Sequence, residues 1–93
     1  MMELKNTVAL MNSDDYKERF KAEYYQTKIR YEKLKAFNTR IKAADMMNCI
    51  KECSIIEMPK HDCPDSLLRE QQNIMGQYLH LLEVRAVIEG IEL

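Results

Sequence analysis

Glycine and proline are nearly missing: this chain of 93 residues has two of each. Turns draw heavily on both residues, so loops must be few and helices long. No apolar run approaches the roughly 20 residues that a bilayer-spanning helix needs, which excludes a membrane protein. The N-terminus also lacks the charged, apolar and small-residue order of a secretion signal. Cysteine is scarce and odd in number, at three, which fits a reducing cytosol better than a disulfide framework. Neither sign of charge prevails, with a formal net charge of −1, so overall charge gives no argument for nucleic acid or a lipid surface. There is no phosphate-binding loop, Gly-Ser elbow, HExxH or paired catalytic carboxylate, so we expect neither an enzyme nor a cofactor. What is left is one soluble domain near the lower size limit for a self-sufficient core.

What is present is charge arranged by region. From Asp14 to Lys42 nine Lys/Arg stand against five acids, and from Asp62 to Leu93 two Arg stand against six acids. Two segments of opposite sign attract each other within one molecule or between copies.

The periodicity predicts an all-α chain: an antiparallel hairpin of two long helices, with a weak leader over residues 1–12. Leu4, Val8 and Met11 would give that leader one or two amphipathic turns. Met11 is also an alternative start, which would make the leader dispensable. Ser13-Asp14-Asp15 supplies a capping hydroxyl and then acids for the positive end of a helix dipole, opening helix 1 over 13–53. Phe20, Tyr24, Thr27, Tyr31, Leu34 and Ile41 recur at steps of four and three, a coiled-coil-like seam interrupted by Asn38. Lys21, Lys28, Lys35 and Lys42 then lie beside the seam. Opposite it runs a second apolar row of Ala22, Ile29, Ala36 and Ala43, so helix 1 reads as covered on two sides, with another protomer as one candidate cover.

Residues 54–63 read as a connection with Pro59 as a stop. Pro64 suits the first turn of helix 2, over 64–89, with Asp62 or Cys63 as its cap and Gly90 as the residue after its end. Helix 2 has two apolar rows: Leu67, Ile74, Tyr78, Leu81 and Ile88, then Leu68, Met75, Leu79, Leu82 and Ala86. One antiparallel partner uses only one row, so the hairpin is expected to oligomerise, at least as a dimer.

Each candidate site has a structural reading beside its functional one. Tyr16, Lys21, Tyr25, Lys28, Arg30 and Lys35 combine cations for phosphate with aromatic faces for a base. The same lysines also suit a packing role, their stems along the seam and their ammonium groups paired with Glu70 and Glu83. Tyr24 and Tyr31 belong to the seam with their hydroxyls at its edge; Tyr16 and Tyr25 are freer. Cys49, Cys53, His61 and Cys63 match no common zinc spacing, so no metal is expected. His80, with Glu83 three residues on, has no paired nucleophile in view and reads as a partly buried polar contact. Asn38 and Gln71, polar residues on packing faces, are the type that sets register or oligomer state.

The run CPDSLLREQQNIMGQYLHLLEVRAVIEGIEL, with Leu67-Leu68, Gln71, Met75, Tyr78, Leu82, Arg85 and Ile88-Glu89-Gly90-Ile91, resembles the end of a group of small phage and prophage proteins. These are helical hairpins related to a protein of crAss-like phages, and DYKERFKAEY at the start of helix 1 also fits. The resemblance implies a phage accessory protein in the bacterial cytosol, made during infection or from a prophage. In size, helical content and oligomerisation the chain is similar to phage sponges that hold cyclic oligonucleotide or cyclic ADP-ribose-type immune signals uncut, silencing CBASS and Thoeris. None of their binding residues aligns onto it. The expected function is therefore sequestration of such a signal. The alternatives are a protein-binding adaptor or inhibitor using an exposed helical face, and a purely structural oligomer. Duplex nucleic acid is not an expected partner, because helix 2 would present an acidic face.

Overall fold

In the computed structural model, which describes residues 2–48 and 56–93, helix α2 (Tyr16–Asn48) runs antiparallel to helix α3 (Asp65–Glu89). A 3-10 turn, Leu4–Thr7, leads into a single helical turn, α1 (Val8–Met11). The chain is long and thin, 57 × 25 × 22 Å. Its radius of gyration is 17.2 Å, against about 12 Å for a compact domain of this length.

Helix α2 starts where its cap is made. The Asp15 carboxylate accepts the Lys17 N–H at 3.0 Å and the Asp15 carbonyl accepts the Arg19 N–H at 3.1 Å. Asp15 thus caps the helix, and Ser13, expected to open it, instead accepts the Asp15 N–H at 3.0 Å. Helix α3 also differs from expectation by one position. Pro64 has ψ 139°, which is extended, so it precedes the first turn and its carbonyl accepts the Leu67 and Leu68 N–H groups. Gly90 ends α3 at φ 70°, a left-handed conformation that needs no Cβ penalty, and Ile91 then folds back into the core. The far end of helix 1, expected to reach residue 53, lies outside the described residues, as do Cys49 and Cys53 of the metal set.

The seam of α2 packs on the second apolar row of α3. Phe20 and Tyr24 meet Leu79, Leu82, Ala86 and Ile91, with Tyr25 and Tyr31 packed against them. Gly76 makes the close approach possible: a Cβ there would sit 3.2 Å from the Tyr31 ring. Farther along, Asn38 is buried and its Nδ2 donates to the Leu68 carbonyl (3.1 Å) and to Gln72 Oε1 (2.9 Å). Those two bonds pin one helix to the other at a single register, as a polar residue on a packing face does. Asn38 Oδ1 is buried without a partner among the described residues.

The expected ion pairs across the seam are not formed. Lys21, Lys28, Lys35 and Lys42 take part in no ion pair among the described residues, and Glu83 accepts the Tyr24 hydroxyl instead, at 2.6 Å. The Tyr24 phenol, buried in the seam, occupies one oxygen of that carboxylate. Lys28 rests over the Tyr24 ring, 5.8 Å from its centroid.

Burial first, and then the hydrogen bond to Glu83, push the Tyr24 phenol up to about 12. An unfolded tyrosine titrates near 10. Between those values the folded chain keeps a proton that the unfolded chain has lost, so this contribution is complete below pH 10 and is lost as pH rises to about 12. The melting temperature of the native chain should therefore fall more steeply through that window than that of Tyr24→Phe. Parallel curves for the two proteins would contradict this.

The leader is part of the fold. It packs on the face of α2 turned away from α3, where it covers Ala22, and Met2 and Leu4 lie beside Ile29 and Ala36. Thr7 is 0% exposed; its hydroxyl donates to the Leu4 carbonyl (2.6 Å) and accepts from Gln26 Nε2 (2.9 Å). The small-residue row of helix 1, read from sequence as a candidate contact with another protomer, is thus covered at Ala22 and partly at Ile29, while Ala36 stays exposed. A leader treated as dispensable would uncover that part of the row.

Candidate ligand site

Among the described residues, three hollows bear on function, and they differ in charge. The largest, about 760 Å³, lies between Tyr31 and the Gly76 side of α3 and is lined by amides, His80 and one fixed cation, Arg69. That guanidinium is already paired with Asp65 at 3.2 Å. A second, about 580 Å³, is the apolar space under Met2 and Leu4. The third, about 450 Å³, opens on the flank of α2 between Met11 of the leader and Arg85 of α3, and here arginines gather.

Arg19, Glu23, Gln26 and Arg30 line that third hollow from successive turns of α2, with Tyr16 and Phe20 at one end. Arg85 is 69 residues away from Tyr16 in sequence, yet its Nη2 donates to the Tyr16 hydroxyl. Tyr16 in turn donates to Glu89 Oε1 at 2.8 Å, and Arg85 Nε pairs with Glu89 Oε2 at 3.0 Å. The guanidinium of Arg85 also lies over the Phe20 ring, 5.0 Å from its centroid. This network ties the end of α3 to the start of α2. Its hydrogen bond to Glu89, before desolvation, raises the Tyr16 phenol, so Tyr16 stays protonated and keeps donating. The same bond from Tyr16, and then Arg85, holds the Glu89 carboxyl below its usual range.

Three guanidiniums face two carboxylates around this hollow. Arg85 is engaged with Glu89, and Glu23 accepts the Tyr78 hydroxyl at 2.6 Å. Arg19 donates one N–H to the Ser13 carbonyl and retains the others. Arg30 is exposed and has no partner among the described residues. The hollow therefore presents two guanidiniums, the exposed ring of Tyr16 and the amide of Gln26. That set can bind phosphate oxygens and a planar group, and it holds no nucleophile paired with a base.

The six residues singled out from sequence do not come together. Tyr16 and Arg30 line the arginine hollow. Lys28 lies on the opposite flank of the hairpin, in a small hollow with Tyr31, His80 and Glu83. Lys21 and Lys35 stand along that same opposite flank, since seven-residue spacing returns them to nearly one line. Tyr25 is half-buried, edge-on to Tyr24 with ring centroids 5.3 Å apart. Arg19, Gln26 and Arg85 were missed. Arg19, Glu23, Gln26 and Arg30 recur at steps of four and three beside the seam, a polar row legible in principle; Arg85 had no such signal.

The remaining candidates are placed as follows. His80 contacts Glu83 (3.9 Å) but is exposed, where a partly buried contact was expected, because it lies one residue past Leu79 and so off the row that packs on α2. His61 bonds the Pro59 carbonyl at 2.7 Å and meets the Phe37 ring edge-on. No group of three His, Cys, Asp or Glu gathers among the described residues, and no helix among them is long and apolar enough to cross a membrane.

Compared with known proteins, residues 14–88 match the model of the Sequestin family, and the chain belongs to that family. No curated protein and no solved structure matches it. The matched span runs from the start of helix α2 almost to the end of α3, and so includes every residue of the arginine hollow except Met11.

Proposed function

We propose that this Sequestin binds and sequesters a nucleotide-type immune signal, a cyclic oligonucleotide or a cyclic ADP-ribose isomer, without cleaving it, as a phage-encoded homo-oligomer acting in the bacterial cytosol. The observation that carries the reading is the convergence of Arg19 and Arg30 with the Tyr16 ring in one hollow. The family's name, which denotes sequestration, supports it independently of the site. Arg19 and Arg30 take the phosphates, Tyr16 stacks on a base, and Gln26, whose Nε2 is held by Thr7, keeps its carbonyl oxygen for a ring or ribose donor. Catalysis has no part in this reading: the ligand leaves as it arrived.

The test is native mass spectrometry of the protein with a panel of cyclic di- and trinucleotides and cyclic ADP-ribose isomers. A discrete, unmodified nucleotide mass on the protein, released intact on denaturation, is the expected result. A protein that stays empty across the panel, or that returns a hydrolysed ligand, would overturn it. A protein-binding role has its own motive in the apolar face of α3, and a host protein seated there with no bound nucleotide would favour it.

A further inference from the structure

The amide of Gln26 is held in one orientation, and the leader decides which. The Leu4 carbonyl can only accept, so the Thr7 hydroxyl, 2.6 Å away, must place its proton there. Thr7 Oγ1 is then left as an acceptor, and the group of Gln26 that lies 2.9 Å from it must be the NH2. Met11 Sδ, 3.6 Å from the same nitrogen, is likewise an acceptor. Both amide protons are thus drawn to the leader, and Thr7 is fully buried, so water cannot take its place. Gln26 Oε1, on the other branch of the amide, has no partner among the described residues and is not buried, which leaves it for the hollow that Gln26 lines.

The middle of the hollow is made of acceptors. Arg19 and Arg30 stand eleven positions apart on α2, about 16 Å along its axis, and Arg19 leans toward Ser13, away from Arg30. Each guanidinium therefore takes its own phosphate, and Glu23 and Gln26 lie between them. Glu23 is a carboxylate, an acceptor only, and one of its oxygens already takes the Tyr78 hydroxyl. The Thr27 hydroxyl turns either way and does not discriminate. A carbonyl placed between the two phosphates would set lone pairs against lone pairs. The family match begins at residue 14, so Gln26 lies inside it while Thr7 and Met11 lie outside. We propose that the leader is a specificity-determining part of this site: through Thr7 it holds Gln26 as an acceptor, so the hollow selects a nucleotide that offers a donor, a base amino group or a ribose hydroxyl, between its phosphates. Gln26 touches the ligand, and Thr7 is a positioning residue that acts through it. This selectivity rests on the function proposed above.

The experiment is competition binding to the full chain, read by native mass spectrometry, with cyclic di-AMP, cyclic di-GMP and cyclic ADP-ribose as probes. Each competes with its inosine counterpart, which lacks the base amino group, and with its 2′-deoxy counterpart. The native chain is expected to favour a parent probe about ten-fold over one of the two, the scale of one hydrogen bond. A penalty on the inosine form assigns the donor to the base, and one on the deoxy form assigns it to the ribose. Thr7→Val, which keeps the shape and removes the hydroxyl, should abolish that preference, and Thr7→Ser should keep it. Gln26→Met, which leaves the bond from Thr7 to Leu4 in place, should also abolish the preference while the parent probe still binds through the arginines. A merely structural role for Thr7 would weaken parent and counterparts alike and leave their ratio unchanged. Equal binding of all three forms by the native chain, or a preference that survives Thr7→Val or Gln26→Met, overturns the selectivity and leaves the proposed function standing. A native chain that binds none of the probes overturns the proposed function for them, and the selectivity with it.

Discussion

Leu82→Ala is expected to destabilise the fold by about 3 kcal/mol, within the range for leucine truncation in a packed core. Leu82 is 1% exposed, between Phe20 and Tyr24 on one side and its own helix on the other. The core it belongs to is small, so the loss is a large part of the roughly 5–15 kcal/mol that holds a domain folded. In a domain this short it should lower the melting temperature by roughly 15 °C. Its neighbour Leu81 provides the internal control. At 61% exposure it contributes little to a single chain, so Leu81→Ala should matter only where copies associate, and its effect should grow with protein concentration. Urea unfolding at two concentrations separates the two residues. A cost below about 1 kcal/mol for Leu82→Ala would mean that α2 and α3 are not held by this contact.

Arg19→Ala/Arg30→Ala is expected to weaken nucleotide binding by about 100-fold or more, since each charge-assisted contact is worth roughly 1.5–3 kcal/mol. Both side chains are exposed, and the folded chain loses only the bond from Arg19 to the Ser13 carbonyl, so the melting temperature should hold. Lys21→Ala/Lys35→Ala removes the same charge from the opposite flank of the helix. Calorimetric titration of both double variants tells a local site from general attraction. If the lysine variant loses the affinity and the arginine variant keeps it, the site is on the other flank. Equal, small, salt-sensitive losses in both would leave only diffuse electrostatics, without a defined hollow.

The helical hairpin was legible because its signal is local. Phe20, Tyr24, Asn38 and Ile41 lie on one face of a helix whatever they pack against, and all four are buried. The two apolar rows of α3 were equally visible, for the same reason of period. Which row turns inward was not. Leu67, Ile74, Leu81 and Ile88 are as apolar as Leu68, Leu79 and Leu82, and the choice is made by fit against Phe20, Tyr24 and the Gly76–Tyr31 contact. The leader shows the opposite limit. Its one or two turns were legible, but not their docking on α2, since Thr7 is an ordinary polar residue until Gln26 meets it.

The candidate site divides along the same line. Residue chemistry pointed to tyrosines and cations on helix 1, and to six of them with equal force. Helical spacing set Lys21, Lys28 and Lys35 on one flank and left Tyr16 and Arg30 on another. Only the register of the hairpin, held by Asn38 and the turn of Gly90, brings Arg85 and Glu89 to Tyr16 from the far end of the chain. By itself the sequence determined helix periods, helix ends and the supply of charge, all properties of neighbours within a few residues. The partners across the seam, the cover on the back of α2 and the gathering of arginines depend on contacts dozens of residues apart, which packing alone decides.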